Sequence, residues 1–216
     1  TAGSDRFDLK EVKRADYLQY KKKATATLVR LKSDTHSPEL ILTRECVKGD
    51  ELKIGHKASH FANLVKIAGL HPTLFSVPEG SFAIPFYYYQ QHISRPAINT
   101  QLQMICKDHR RWTPEQLARE LKTLRHLIRQ QPVNDSLLQL AEQQILSNQV
   151  GYSYRFRSSC NAEDAEGFSG AGLYKSSTGV YGAQQKSIEQ AIQKVWASTW
   201  SLQAFKAREQ AGIRQD

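Results

Sequence analysis

The sequence predicts an α+β fold, with helices packed on a small mixed sheet. Three observations carry that prediction. Apolar residues recur at helical spacing in several stretches, as in Leu117, Leu121, Leu124 and Ile128. Elsewhere they alternate with polar ones, as in Tyr152, Tyr154 and Phe156. Hydrophobic residues make up 40% of the 216 positions and charged residues 24%, so the chain can bury a sizeable core and is neither collagenous nor fully disordered.

Residues 1–32 read as helix, at least from Ala15, because Tyr17, Tyr20, Ala24, Leu28 and Leu31 share one face. This basic lead-in, taken as residues 1–50, carries Lys21, Lys22 and Lys23, which either grip a polyanion or form the wet face of an amphipathic helix. Residues 33–38 are a loop by composition, and residues 39–47 form a candidate short strand. Ile54-Gly-His-Lys57 opens a helix with Ala58, Phe61, Leu64, Val65 and Ala68 on its apolar stripe, and Gly69 is a natural stop. Lys57 therefore sits in a first turn, where it can join free N–H groups in holding an anion. The plainer reading is an ordinary exposed lysine. Residues 77–85 give turn residues and then a short strand. Phe86-Tyr-Tyr-Tyr89 begins a helix ending near His92, its aromatics reading as core more readily than as a base-stacking platform.

Thr113-Pro-Glu-Gln116 has the elements of a capping box, and Pro132 ends the helix that follows. A second helix over Asp135–Ser147 makes the pair look like a helical hairpin. The chain closes with one long helix, about Ser187 to Ala211, burying Ile188, Ile192, Val195, Thr199 and Leu202, with Trp196, Trp200 and Phe205 widening that face.

Charge and chemistry narrow the function. Lys and Arg total 30 against 21 Asp and Glu, a net +9 that attracts phosphates without choosing among nucleic acid, nucleotide and anionic lipid. Cys46, Cys106 and Cys160 are scattered, without a CxxC pair, which argues against zinc and against a disulfide framework and favours a reducing, cytoplasmic compartment. Seven His lie outside any HExxH pattern. No apolar run approaches the roughly 20 residues needed to cross a bilayer, and no membrane partner is expected. The start, Thr1-Ala-Gly-Ser-Asp5, reads as a processing product or an expression remnant, so the chain is expected to be a piece of something longer.

The informative stretch begins at Gly151. A half-buried strand ends at Arg157, and an arginine at a strand end presents a rigid planar fork suited to two phosphate oxygens. Ser158 and Ser159 follow, then Glu163, Asp164 and Glu166, which could brace an arginine, hold a loop shut or approach a magnesium. A loop with Gly167, Ser169, Gly170 and Gly172 comes next, able to turn backbone N–H groups inward as an anion nest. Neither a Walker loop nor a dinucleotide fingerprint is present.

These residues resemble a known family. Arg157-Ser-Ser-Cys-Asn-Ala-Glu-Asp, continuing to Gly170-Ala-Gly-Leu-Tyr174, is similar to the signature of the nucleotide-binding domain of pyruvate phosphate dikinase, phosphoenolpyruvate synthase and alpha-glucan water dikinase. Ile54-Gly-His-Lys-Ala-Ser-His-Phe-Ala-Asn-Leu64 resembles that family's Gly-Gly-Lys helix start, and Val77–Pro85 its Val-Pro strand. Lys194-Val-Trp-Ala-Ser198 with Ala204-Phe205 is similar to the segment that follows.

The resemblance implies the N-terminal part of an ATP-grasp-like domain over residues 51–216, incomplete at its C-terminal side. It also implies phosphorylation of a histidine on a separate swivelling domain. Arg157 matches the catalytic arginine that contacts phosphate in transfer, and Lys57 the lysine on the nucleotide phosphates. Ser169, Gly170, Ala171 and Gly172 match the loop over those phosphates. Two departures stand out: His56 replaces the glycine before the lysine, and Cys160 stands where Ser, Thr or Ala is commoner.

The implied ligands are ATP and Mg2+, with the magnesium carboxylates expected outside this chain. The implied partners are the phosphohistidine domain and the phosphoenolpyruvate/pyruvate domain of the parent protein, with nucleic acid disfavoured. Phosphotransferase activity is expected of the complete protein and not of this chain alone, which would be a fragment or degenerate copy carrying half of a nucleotide site. The competing reading is a non-catalytic basic module that binds nucleic acid or a partner protein.

Overall fold

The computed structural model describes residues 31–148, 152–162, 168 and 170–215. The N-terminal helix expected over residues 1–32, with Lys21–Lys23, lies outside them except for residues 31 and 32, which are not helical. In chain order come β1 (Ile41–Leu42), α1 (Glu51–Ile54), α2 (His56–Leu70), β2 (Phe82–Ala83), α3 (Phe86–Ile93) and α4 (Pro96–Asp108). After a 3-10 turn (His109–Arg111) follow α5 (Pro114–Gln130), α6 (Asp135–Ser147), β3 (Ser153–Phe156), β4 (Ser177–Val180), α7 (Ile188–Ser198) and α8 (Leu202–Gln210).

The α+β class stands, but the small mixed sheet does not. The described strands form two separate antiparallel ribbons, β1 with β2 and β3 with β4. The physical reason is length and cover. Only two residues of the expected 39–47 strand pair, because the chain turns at once through backbone bonds from Glu45 and Cys46 to Leu42. The β3–β4 ribbon is covered by α7, and Gly179 in β4 makes the close approach possible. A Cβ there would lie 3.0 Å from the Ala191 side chain and the Ile188 backbone.

Local signals fixed several helix ends. The Thr113 hydroxyl accepts from the Gln116 N–H at 3.3 Å, and the Gln116 side chain accepts from the Thr113 N–H at 2.8 Å, so the capping box at α5 is complete. Asn134 caps α6 through the Leu137 N–H at 3.1 Å. The closing helix is two helices. The Ser198 and Thr199 hydroxyls bond back to the Val195 and Trp196 carbonyls, and Ser201 caps α8 through the Ala204 N–H. A polar Ser-Thr-Trp-Ser run thus stops one helix and starts the next.

Two apolar clusters flank α7. One joins Ile98, Leu102 and Ile105 of α4 to Leu117, Leu121, Leu124 and Ile128 of α5, with Trp200 and Phe205. The other joins Tyr88, Val133, Leu137, Ala141 and Ile145 to Ile188 and Ile192. The expected hairpin of α5 and α6 therefore does not bury its two faces against each other; each apolar face goes to a different cluster. Of the Phe86–Tyr89 aromatics expected in the core, Tyr88 is buried at 4% exposure and Tyr87 packs beside it half-buried, while Phe86 and Tyr89 are also half-buried.

His92 is buried between these clusters, its ring centroid 4.9 Å from that of Trp196. Nε2 lies 2.9 Å from the Ile128 carbonyl, which can only accept, so Nε2 carries the proton and Nδ1 is left as a buried acceptor with no partner among the described residues. Burial, opposed by that hydrogen bond, holds the His92 pKa below its ordinary value of 6.5. Above that value the ring is neutral folded or unfolded and contributes no pH dependence. As pH falls through it, the unfolded chain takes up the proton first, and stability falls by up to about 1.4 kcal/mol per pH unit. Urea unfolding at pH 7.5 and 5.5 should show a larger acid loss in the native sequence than in His92→Leu. Equal losses would remove His92 as the cause.

Candidate phosphate-binding site

Three segments meet around the loop that follows β3. The first is the junction of α1 and α2. Gly55 has φ 82° and ψ 161°, and its N–H closes α1 on the Glu51 carbonyl at 2.9 Å. That backbone conformation is open essentially to glycine alone. Lys57 is the second residue of α2 and is exposed.

The second segment is the loop itself. Arg157 is the first residue past β3 and is exposed, as the strand-end reading expected. Ser159 Oγ accepts the Ala58 N–H at 2.9 Å, capping α2 from a distance of 101 residues along the chain. This corrects the expectation that the α2 N–H groups are free for an anion, because one of them is already spent on the loop. The contact is flush. A Cβ on Gly55 would fall 2.6 Å from Ser159 Oγ and 2.7 Å from the Cys160 nitrogen. Ser158 and Asn161 are buried, and the Asn161 amide donates to the Lys32 carbonyl. Asn161 Oδ1 is a buried acceptor with no partner among the described residues.

The third segment is the glycine turn. The Leu173 N–H reaches the Gly170 carbonyl at 3.2 Å, and Gly172 has φ 75°. Gly170 is buried while Ala171 and Gly172 are exposed, so the tip of the turn is open to solvent. Its flanks are anchored. Phe168 and Leu173 pack with Ala162 and Ile213, and Cys160 joins that cluster. Tyr174 hydrogen-bonds Cys160 and Arg208; burial first, and then the neighbouring thiol, push its hydroxyl up to about 12, so it stays protonated. Arg208 is itself buried, donating to the Thr199 carbonyl at 2.8 Å and lying 5.4 Å from the Trp200 ring centroid. The Lys175 N–H is held by Ser198 Oγ at 3.1 Å.

The structure thus joins the segments bearing Lys57, Arg157 and Gly170–Gly172, with the 157–162 loop touching both others. Ser169 and the acidic residues Glu163, Asp164 and Glu166 lie outside the described residues. Ala58 as the bonded donor, Asn161, Tyr174 and Arg208 were missed in the sequence. No spacing rule links positions so far apart, and only the Arg-Ser-Ser-x-Asn string hinted at Asn161. Two clefts of about 380 and 360 Å3 lie elsewhere, one beside His92 and Arg95 and one beside Cys46 and His56; neither is lined by Lys57 or Arg157.

Among the described residues no group of three or more His, Cys, Asp and Glu could hold a metal ion, and no helix is long and apolar enough to cross a membrane. Exposed cations at the ends of a helix and a strand, beside an open glycine turn, suit an anionic chain of phosphates. A family model described as pyruvate phosphate dikinase, AMP/ATP-binding domain, matches residues 51–216. A search of curated proteins found no match.

Proposed function

Since that match spans most of its length, the chain belongs to the pyruvate phosphate dikinase AMP/ATP-binding domain family, and from that premise we propose that its three joined segments hold the phosphate tail of ATP for transfer to a histidine on a separate domain. Lys57 and Arg157 supply the charge, and the exposed backbone of Ala171 and Gly172 lies against the phosphate oxygens with Ser169 adding a hydroxyl. Charge held in place before reaction is the main work of phosphoryl transfer, because there is little covalent chemistry for the protein to do.

The observation that carries the reading is the seating of the Arg157 loop on Gly55 and Ala58, immediately beside Lys57. A rigid backbone contact fixes the separation of the two cationic segments, which loop-borne charges alone would not achieve. The domain is read as ATP-grasp-like. Among the described residues no group of His, Cys, Asp and Glu could hold magnesium, and no step is routed through the ion here. The histidine-bearing and phosphoenolpyruvate/pyruvate domains of a parent protein would be its partners, in the cytoplasm.

Calorimetric titration of the purified chain with ATP and magnesium tests this. Binding is expected, and Lys57→Ala should weaken it about tenfold, one charge-assisted hydrogen bond's worth. Absence of binding by the native sequence, or unchanged affinity in Lys57→Ala, would contradict it.

A further inference from the structure

The outward face of α5 carries a row of basic residues, three of them Arg or Lys, that the nucleotide reading does not use. Leu117, Leu121, Leu124 and Ile128 point into the core and are at most 5% exposed. On the opposite side Arg119, Lys122, His126 and Arg129 follow one another at spacings of three, four and three residues, all exposed. That spacing puts them in one line about 15 Å long on a straight helix. Near the start of the helix Lys107, Arg110 and Arg111 add exposed positive charge.

Among the described residues the acids near this row sit at one end. Arg119 lies 3.3 Å from Glu120, and Arg111 3.9 Å from Asp108. Glu115 is in the first turn of α5. Past Glu120 the helix has no acid, and Arg125 and Arg129 turn their Nε–H groups back to the Leu121 and Arg125 carbonyls of their own helix. Like charges three and four residues apart destabilise a helix, and a solvated helix ordinarily interleaves acids at that spacing. Past the Arg119–Glu120 pair, Lys122, Arg125 and Arg129 therefore have no acid on their own helix at that spacing, and a bound anion would relieve them.

We propose that this face of α5 docks an acidic helix of a partner protein, one with carboxylates at the same three- and four-residue spacing. Two helices side by side share one periodicity, so carboxylates on one can face Arg119, Lys122 and Arg129 on the other. The carboxylates Glu115 and Glu120 at the N-terminal end would repel an acidic partner there and fix the direction in which it lies. A nucleic acid fits less well. The row is one residue wide, is edged by carboxylates at one end, and offers a single ring, His126, where successive stacked bases need several.

The test uses the whole chain and three fluorescent probes. These are an alanine-based helical peptide of about 20 residues with glutamates on one face at this spacing, its scrambled isomer of equal composition, and a polyuridine of similar charge. The ordered peptide should bind, more weakly as salt rises, with the scrambled isomer about tenfold weaker. Lys122→Glu with Arg129→Glu should cost about tenfold, while Lys48→Glu with Lys194→Glu, an equal change of charge on other exposed sites, should not. Circular dichroism checks that both variants fold. Equal binding of the scrambled peptide, equal loss in the control variant, or preference for polyuridine over the ordered peptide would each overturn the proposal. ATP binding is read separately, so failure here leaves the nucleotide reading untouched.

Discussion

Gly55→Ala should destabilise the protein by about 3–5 kcal/mol, as backbone strain and overlap add. The strain comes from φ 82° and ψ 161°, a region that a residue with a Cβ scarcely populates. The overlap comes from atoms 2.6 to 2.8 Å from the new methyl, namely Ser159 Oγ, the Cys160 nitrogen and the Ser159 carbonyl carbon. Two of those three are backbone and cannot swing aside. The loop must then lift from the start of α2, taking Arg157 with it and releasing the Ala58 N–H from its cap.

Ser159→Ala is the companion measurement. It removes the hydroxyl and the cap but leaves the backbone seated, so about 1 kcal/mol is expected. Combining it with Gly55→Ala should restore little, because the Cys160 nitrogen and the Ser159 carbonyl carbon still block the methyl. Urea denaturation of the three variants checks this. A Gly55→Ala protein as stable as the native sequence would mean that the loop and helix are not in rigid contact.

What the sequence made legible follows from how local each signal is. The start of α5 was readable because Thr113, Pro114 and Gln116 complete a cap within four residues. Residues 135–147 were readable as α6 from helical periodicity, and β3 from alternation. The break between α7 and α8 was missed because Trp200 and Phe205 extend the apolar face across it, while the Ser and Thr back-bonds that end α7 have no period. β4 was missed because its four residues, Ser177–Val180, carry no alternation and owe their pairing to β3 and the glycine contact with α7. At the site, Arg157 at a strand end and Lys57 at a helix start were legible from local pattern. Their joining through Ser159 and Gly55 was not, since a contact spanning about a hundred residues leaves no trace in spacing.

The α5 hairpin shows the same limit from the other side. Periodicity identified both helices and both apolar faces correctly, yet says nothing about which face meets which. The two faces separated because α7 enters between the clusters, with Trp196 packed against both.

Arg157→Ala should lower ATP affinity by about 10- to 100-fold, the worth of one or two charge-assisted hydrogen bonds. Its fold should survive, because Arg157 is exposed and the seating of the loop depends on Ser159 and Cys160. The neighbouring Arg155 provides the control. It is exposed on the same strand, has the same charge and bonds Thr178 Oγ1 at 3.1 Å. Long-range attraction would weaken alike in either variant, whereas a direct phosphate contact belongs to one position. The decisive measurement is calorimetry of ATP binding to Arg157→Ala and Arg155→Ala side by side, with unfolding curves for both. The account predicts a large loss for Arg157→Ala, a small one for Arg155→Ala and similar stabilities; equal affinities in the two variants would contradict it.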